Sequence, residues 1–269
     1  MRILILGAGK MGSFFTDLLS FDHDVAVLDK DPRKLRFVYN VQRFSKYSEV
    51  VDFHPDMVLN CVTLNYTVNS FKEIIPFLLD DSGQKLDSCI LADIASVKTD
   101  LKNFYKTAGF EYVSVHPMFG PTFARLDNLQ TENAIIINDS GVSLKGIEFF
   151  RSIFDKLNLH VCEYTFKEHD EVVAYSLSIP FATTLAFGSV MKNLDAPGTT
   201  FKKHLAITHG LLSEDDYLLQ EILFNPHTPS QLDKIILAME ELKAIVETKN
   251  SDKMKTFLSG VRERVNRKK

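Results

Sequence analysis

The sequence predicts an α/β fold in which a doubly wound, mostly parallel sheet fills the N-terminal half and an all-α domain follows it. Three observations lead there. Short β-rich runs alternate with helix-length segments through the first half, the pattern of βαβ units. The runs are apolar at nearly every position instead of every second one, as strands covered by helices on both faces must be. After Tyr164 the strand signals stop and the chain reads as helix. A length of 269 residues suits two domains, here residues 1–165 and 166–269.

In chain order the strand runs are RILIL from Arg2, VAVLD from Val25, MVLNCV from Met57, SCILAD from Ser88, YVSV from Tyr112, NAIIIN from Asn133 and LHVCEY from Leu159. The helical half opens at Glu168 with a long apolar stretch containing Pro180. Lacking an N–H, Pro180 is expected to kink or split that helix. DAPGTT, Asp195 to Thr200, is a turn. Helices then follow in DDYLLQEILF, SQLDKIILAMEELKAIVE and KMKTFLSGVRERV. No internal repeat interrupts the pattern.

Hydrophobic residues at 45% and charged residues at 25% exclude disorder and fibrous folds. A formal net charge of −4 gives no pull toward nucleic acid, and the basic run Arg262 to Lys269 reads as a solvated helix end. Cys61, Cys89 and Cys162, odd in number and each in an apolar run, read as buried free thiols of a reducing compartment. Ile3 to Leu6 is too short for a signal peptide's apolar region, and no later segment reads as approaching the roughly 20 apolar residues of a membrane span. The expectation is a cytoplasmic protein without membrane, nucleic-acid or metal partners.

The opening RILILGAGKMG sets Gly7, Gly9 and Gly12 as G-x-G-x-x-G directly after a strand and at the start of a helix. The first glycine permits the turn, the second lets backbone approach a pyrophosphate, and the third lets helix pack on strand. Lys10 and Met11 complete the loop, and the phosphates meet the helix N-terminus. A second strand ends in Asp29, placed to accept hydrogen bonds from the adenosine ribose hydroxyls. The pattern predicts a Rossmann dinucleotide site, the alternative being glycines that only make a structural turn and an Asp29 that is a solvated strand end. A carboxylate there repels a 2′-phosphate, so NAD is expected over NADP, with Lys30 and Arg33 close enough to weaken the preference.

Two later strand ends are polar for a parallel sheet: ADIASVKTD and VHPMFGPTF. Such ends face the ligand crevice of an open α/β sheet. Ser96, Lys98 and His116 therefore share one edge, His116 beside Pro117.

These stretches resemble the prephenate dehydrogenase family of tyrosine biosynthesis. The resemblance lies in Asp93-Ile94-Ala95-Ser96-Val97-Lys98, in His116-Pro117-Met118-Phe119-Gly120-Pro121 and in Glu168-His169-Asp170. Together with the glycine motif they span nearly the whole chain, and the six-residue run from His116 is the specific part. The resemblance implies oxidation of prephenate, with loss of carbon dioxide, to 4-hydroxyphenylpyruvate and NADH. It implies His116 as the base taking the ring hydroxyl proton, and Ser96 as a hydrogen-bonding residue shared by hydroxyl, histidine and nicotinamide. Neutral imidazole suits the task, because its pKa of about 6.5 lies close to working pH. Lys98 reads either as a strand-end lysine near phosphates or solvent, or as a substrate ligand. His169 and Asp170 read as a structural hydrogen-bonding pair that the family pattern keeps near the cleft.

Two departures concern the substrate. Many members carry Pro-His in the first long helix where this chain has Pro180-Phe181, and the family's carboxylate-binding arginine aligns with Gly210. Prephenate's two carboxylates need cations or convergent donors, and the nearest candidates are Lys202, Lys203, His204 and His209. The resemblance implies Lys202 as the first choice, since relatives often carry a basic residue there, with His209 as a further substrate ligand; the alternative reading is that these are solvated helix charges. A pocket rebuilt around Phe181 and a lysine also fits arogenate, in which an amino group replaces the keto oxygen. Two further readings stay open: another dehydrogenase with a helical second domain, of the β-hydroxyacid type, and a nucleotide-sensing protein without turnover. The apolar faces of IILAMEELKAIV and YLLQEILF exceed what one Rossmann domain covers, which predicts a homodimer through the helices.

Overall fold

The computed structural model describes residues 1–79, 82, 84, 89–120, 126–192 and 194–266, with 126–128 in backbone only. Pro121, which closes the His116 run, and the last three residues of the basic C-terminal stretch lie outside them. The chain divides into two compact units, Met1–Val172 and Val173–Lys269. The first therefore reaches past residue 165 and takes in the helical turns that carry His169 and Asp170.

The first unit is built from β1 (Arg2–Leu6), α1 (Lys10–Leu19), β2 (Asp24–Leu28), β3 (Gln42–Phe44), β4 (Met57–Asn60), α2 (Thr67–Ile74), β5 (Ile90–Asp93), α3 (Leu101–Ala108), β6 (Glu111–Pro117), β7 (Asn133–Ile137), α4 (Leu144–Lys156) and β8 (His160–Tyr164). Among the described residues its eight strands form one sheet in the order β3-β2-β1-β4-β5-β6-β7-β8. All neighbours pair in parallel except β6 and β7. β3 is the strand missing from the sequence reading. Its three residues, QRF, form a short edge with little apolar content to signal it.

Alternation within each strand feeds two cores, as side chains of successive residues point to opposite faces. Ile3 and Ile5 join Phe15 and Leu19 of α1 and Phe150 and Phe154 of α4 on one face. Leu4 and Leu6 join Phe71 and Ile74 of α2 and Phe104 and Tyr105 of α3 on the other. Because β1, β4, β5 and β6 are parallel, their C-terminal ends share one edge, and that edge carries the glycine turn, the Ser96 loop and His116.

Helical structure from α5 (Phe166–Val173) runs through a π-helical turn, Ala174–Ser178, into α6 (Ile179–Ser189). The wide turn lies just ahead of Pro180, whose ring would otherwise press on the carbonyl four residues back. The run Phe166–Ser189, 24 residues, is long and apolar enough to cross a membrane by length and composition. That corrects the expectation that no segment approaches a span. Its charges, Lys167, Glu168, Asp170 and Glu171, all fall in the opening turns, and with Pro180 they disguise the apolar stretch that follows.

The second unit continues with α7 (Thr199–Leu211), α8 (Asp216–Leu223), α9 (Thr228–Thr248) and α10 (Ser251–Asn266). Ser178 joins three of its segments: its Oγ donates to the Ile222 carbonyl at 2.8 Å and accepts from Thr228 Oγ1 at 2.9 Å. The ring of Phe187 on α6 meets that of Phe201 on α7 edge-on at 5.6 Å. Of the cysteines, Cys61 and Cys89 are buried, whereas Cys162 on edge strand β8 is half-buried, which corrects its expected burial.

Candidate active site

The turn after β1 is shaped by two glycines. Gly7 has φ +94°, the left-handed region in which side chains are strained, and its N–H donates to Leu28 O at 2.8 Å. At Gly12 a Cβ would stand 1.8 Å from Gly7 O, so a side chain there would push α1 off the strand. At Gly9, the residue capping α1, a Cβ would meet no atom within 4 Å. Room therefore lies in front of a helix start that has no side-chain cap and no acidic residue in its first turn. Met11 and Gly12, after Lys10, carry N–H groups of the first turn, which a helix leaves without intrahelical acceptors at this end. This is a cradle of the right shape and polarity for a pyrophosphate.

Asp29 is clasped to the same turn. Its Oδ2 accepts the Ala8 N–H at 2.8 Å and its Oδ1 accepts the Asp31 N–H at 2.8 Å, leaving lone pairs on both oxygens for a ribose diol. The neighbouring cations are engaged by acids: Lys30 Nζ donates to Glu73 at 2.7 and 2.8 Å, and Arg33 Nε to Asp31 at 2.9 Å.

Further along the edge, His116 lies near the end of β6 and is 6% exposed. Its Nδ1 sits 3.0 Å from Nε2 of His169, and His169 Nδ1 sits 3.1 Å from Asp170 Oδ1. One tautomer set satisfies both bonds. Asp170 accepts from His169 Nδ1–H, His169 Nε2 then accepts from His116 Nδ1–H, and His116 Nε2 keeps the lone pair. The pair read from sequence as hydrogen-bonded is so, and it continues to His116, an arrangement in which one ring is held by a second residue and an acid. Burial, then the neighbouring His169 and Lys98, hold the His116 imidazole well below its ordinary pKa. Burial also lowers His169, partly opposed by its bond to Asp170. Both rings are therefore neutral near pH 7, and His116 is free to accept a proton.

Lys98 is not in solvent. Fully buried, its Nζ donates to Asp93 Oδ1 at 2.6 Å and to the Val115 carbonyl at 2.8 Å. Asp93 accepts in addition from Ala95 N–H at 3.0 Å and from Tyr105 O–H at 2.6 Å. A charge taken out of water must find such partners. The result fastens the loop bearing Ser96 to the strand residue preceding His116. Ser96 itself is half-buried in that loop, between Ala95 and the Val97-Lys98 anchor. Beyond His116, Phe119 meets Phe14 of α1 at 5.8 Å, which sets the polar loop against the helix of the glycine turn.

In the second unit Lys202, Lys203, His204 and His209 are exposed on α7. Lys202 is past the helix start: its N–H already donates to Gly198 O, so the unused N–H groups of the first turn belong to Thr199, Thr200 and Phe201. At Gly210, where the family's arginine aligns, a Cβ would meet nothing within 4 Å. Phe181 is half-buried.

No family sequence model matches the chain, and no curated sequence relative is found. Solved structures do match. The prephenate dehydrogenase of Aquifex aeolicus in complex with hydroxyphenyl propionate and NAD+ superposes with a TM-score of 0.81 at 18% identity, over 98% of this chain and 96% of that one. The arogenate dehydrogenase of Synechocystis gives 0.73 at 14% identity, over 98% and 100%. The fold is that of the prephenate and arogenate dehydrogenases. With identities this low the likeness speaks for architecture, a Rossmann unit followed by a helical one, and leaves the substrate to the residues.

Tyr105 and Glu73 were not legible as site residues. Tyr105 hides in an amphipathic helix as an ordinary core aromatic, and its only signal is a hydroxyl that must find a buried partner. The pairing of His169 with His116 spans 53 positions, which no local pattern reveals.

Proposed function

We propose that this chain oxidises prephenate with NAD+, giving 4-hydroxyphenylpyruvate, carbon dioxide and NADH. The observation that carries the proposal is the relay Asp170–His169–His116 at the sheet edge shared with the glycine turn. An enzyme that removes hydride from a carbinol carbon needs a neutral base for the hydroxyl proton, and His116 is that group. Its Nε2 takes the proton. The imidazolium that forms is stabilised through Nδ1–H to His169, which donates in turn to Asp170. Ser96, in the anchored loop, is the hydroxyl donor for the alcohol oxygen. Lys98 holds the strand and loop in register without touching substrate.

Gly7, Gly9, Lys10, Met11 and Gly12 would hold the pyrophosphate of NAD+ and Asp29 its adenosine ribose, and when bound the nicotinamide supplies the hydride acceptor. Engagement of Lys30 and Arg33 by acids supports NAD over NADP. Loss of the carboxylate makes the ring aromatic and the step one-way, so positioning, deprotonation and exclusion of water are what remains for the protein. Lys202 is the proposed cation for a substrate carboxylate, with His209 on the same helix.

A homodimer through the helical unit completes the reading. Ile207, Leu212, Phe224, Leu237 and Met239 are all more than half exposed, apolar side chains that a second copy would cover, and light scattering should report twice the chain mass. Steady-state NADH formation with prephenate and with arogenate, side by side, tests the substrate: prephenate should have the higher kcat/KM, and a preference for arogenate would reassign the pocket around Phe181.

A further inference from the structure

Directly after Asp29, at the place where a Rossmann enzyme that uses NADP sets a cation for the 2′-phosphate, this chain has Lys30. Its ammonium is not at large. Both oxygens of Glu73, one position from the end of α2, accept from it at 2.8 and 2.7 Å. Tyr47 O–H donates to Glu73 Oε2 at 3.0 Å, and the ammonium stands 5.3 Å from the centre of the Tyr47 ring. Tyr47 is in turn stacked on Phe77. Two segments far apart in sequence, those of Tyr47 and Glu73, thus converge on one lysine. The bond from Lys30 holds the Glu73 carboxyl below its usual range, helped by Tyr47, so the acid is charged at neutral pH and keeps its grip.

We propose that Glu73 is a specificity-determining residue for the cofactor: by occupying Lys30 it denies a 2′-phosphate the cation that would bind it. This rests on the dinucleotide site described above. A phosphate competing for Lys30 must displace a carboxylate that already makes two charge-assisted bonds. Discrimination against NADP therefore comes from two acids, Asp29 by direct repulsion and Glu73 through Lys30.

The test is fluorescence titration of NADH and NADPH into the full-length protein and into the E73Q, E73A and E73Q/K30A variants, a binding readout that needs no turnover. The ratio of the NADPH to the NADH dissociation constant should fall by about tenfold in E73Q, one phosphate contact of roughly 1.4 kcal/mol, and by as much in E73A. It should return to the unmodified ratio in E73Q/K30A. An unchanged ratio in both single variants, with NADH still bound, overturns the proposal and spares the dinucleotide site. A gain that persists in E73Q/K30A also overturns it, since Glu73 would then act by repulsion alone. If the unmodified protein binds neither nucleotide, the dinucleotide reading falls and the proposal with it.

Discussion

Phe15, Phe71, Phe150 and Phe154 of the sheet unit are fully buried, while Leu237 and Met239 of the helical unit remain 65% and 61% exposed. The polar groups differ in the same sense. In the sheet unit Asp93, Lys98, His116 and His169 are buried and bonded to one another or to backbone, whereas the candidate cations of α7 stand in solvent. The contrast separates two kinds of residue. Buried polar groups are held because leaving one unpaired is costly, and their geometry can be read from one chain. Surface cations and uncovered apolar faces get their meaning from what binds them.

The comparison can be broken most forcefully at the relay. His116→Asn should lower turnover by roughly 10² to 10⁴, the range of a positioned general base, while NADH still binds by fluorescence titration. Near-normal turnover at neutral pH would return His116 to a structural role.

Lys98→Met tests whether the buried pair is structural. Removing one partner strands the charge on Asp93, and the expected loss is about 3 to 5 kcal/mol of unfolding free energy, read by urea denaturation. A loss of activity with undiminished stability would instead place Lys98 on the substrate.

In the helical unit, Lys202→Ala should lower kcat/KM for prephenate by more than about tenfold, as expected for a lost charge pair, with the NADH dissociation constant nearly unchanged. If this variant is silent and His204→Ala or His209→Ala is crippled, the cation lies elsewhere on α7.

The smallest effect is on pH. With the folded-state pKa of His116 and His169 lowered, the unfolded chain binds more protons than the folded one below about pH 6.5. Stability is then full above that value and falls as the medium is acidified, by at most about 1.4 kcal/mol per pH unit for each histidine. His116→Asn should flatten the slope in denaturation curves recorded between pH 7 and 5.

Much of the sheet unit was legible because its signals are local. An unbroken apolar run before G-x-G-x-x-G can do little but make a buried strand and a helix start, and seven of the eight strands announced themselves this way. The edge strand Gln42–Phe44 did not, since an edge needs no apolar face. The burial of Lys98 was not legible for a physical reason: a lysine beside a strand end belongs in water unless an acid meets it, and Asp93 and the Val115 carbonyl meet it only after β5 and β6 pair. The relay was half visible, His169-Asp170 as neighbours and His116 as the base, but the bond joining them depends on the fold. The helical unit gave its helices through amphipathic spacing, and its apolar run Phe166–Ser189 was hidden by four charges and a proline.

The most direct test is to mix the purified protein with prephenate and NAD+ and follow NADH and 4-hydroxyphenylpyruvate together. Both products should form in equal amounts, and the His116→Asn variant should form them at a rate lower by at least about a hundredfold. If the protein binds NADH yet forms neither product from prephenate, and forms no NADH from arogenate, the assignment of His116 as the base of this reaction is contradicted.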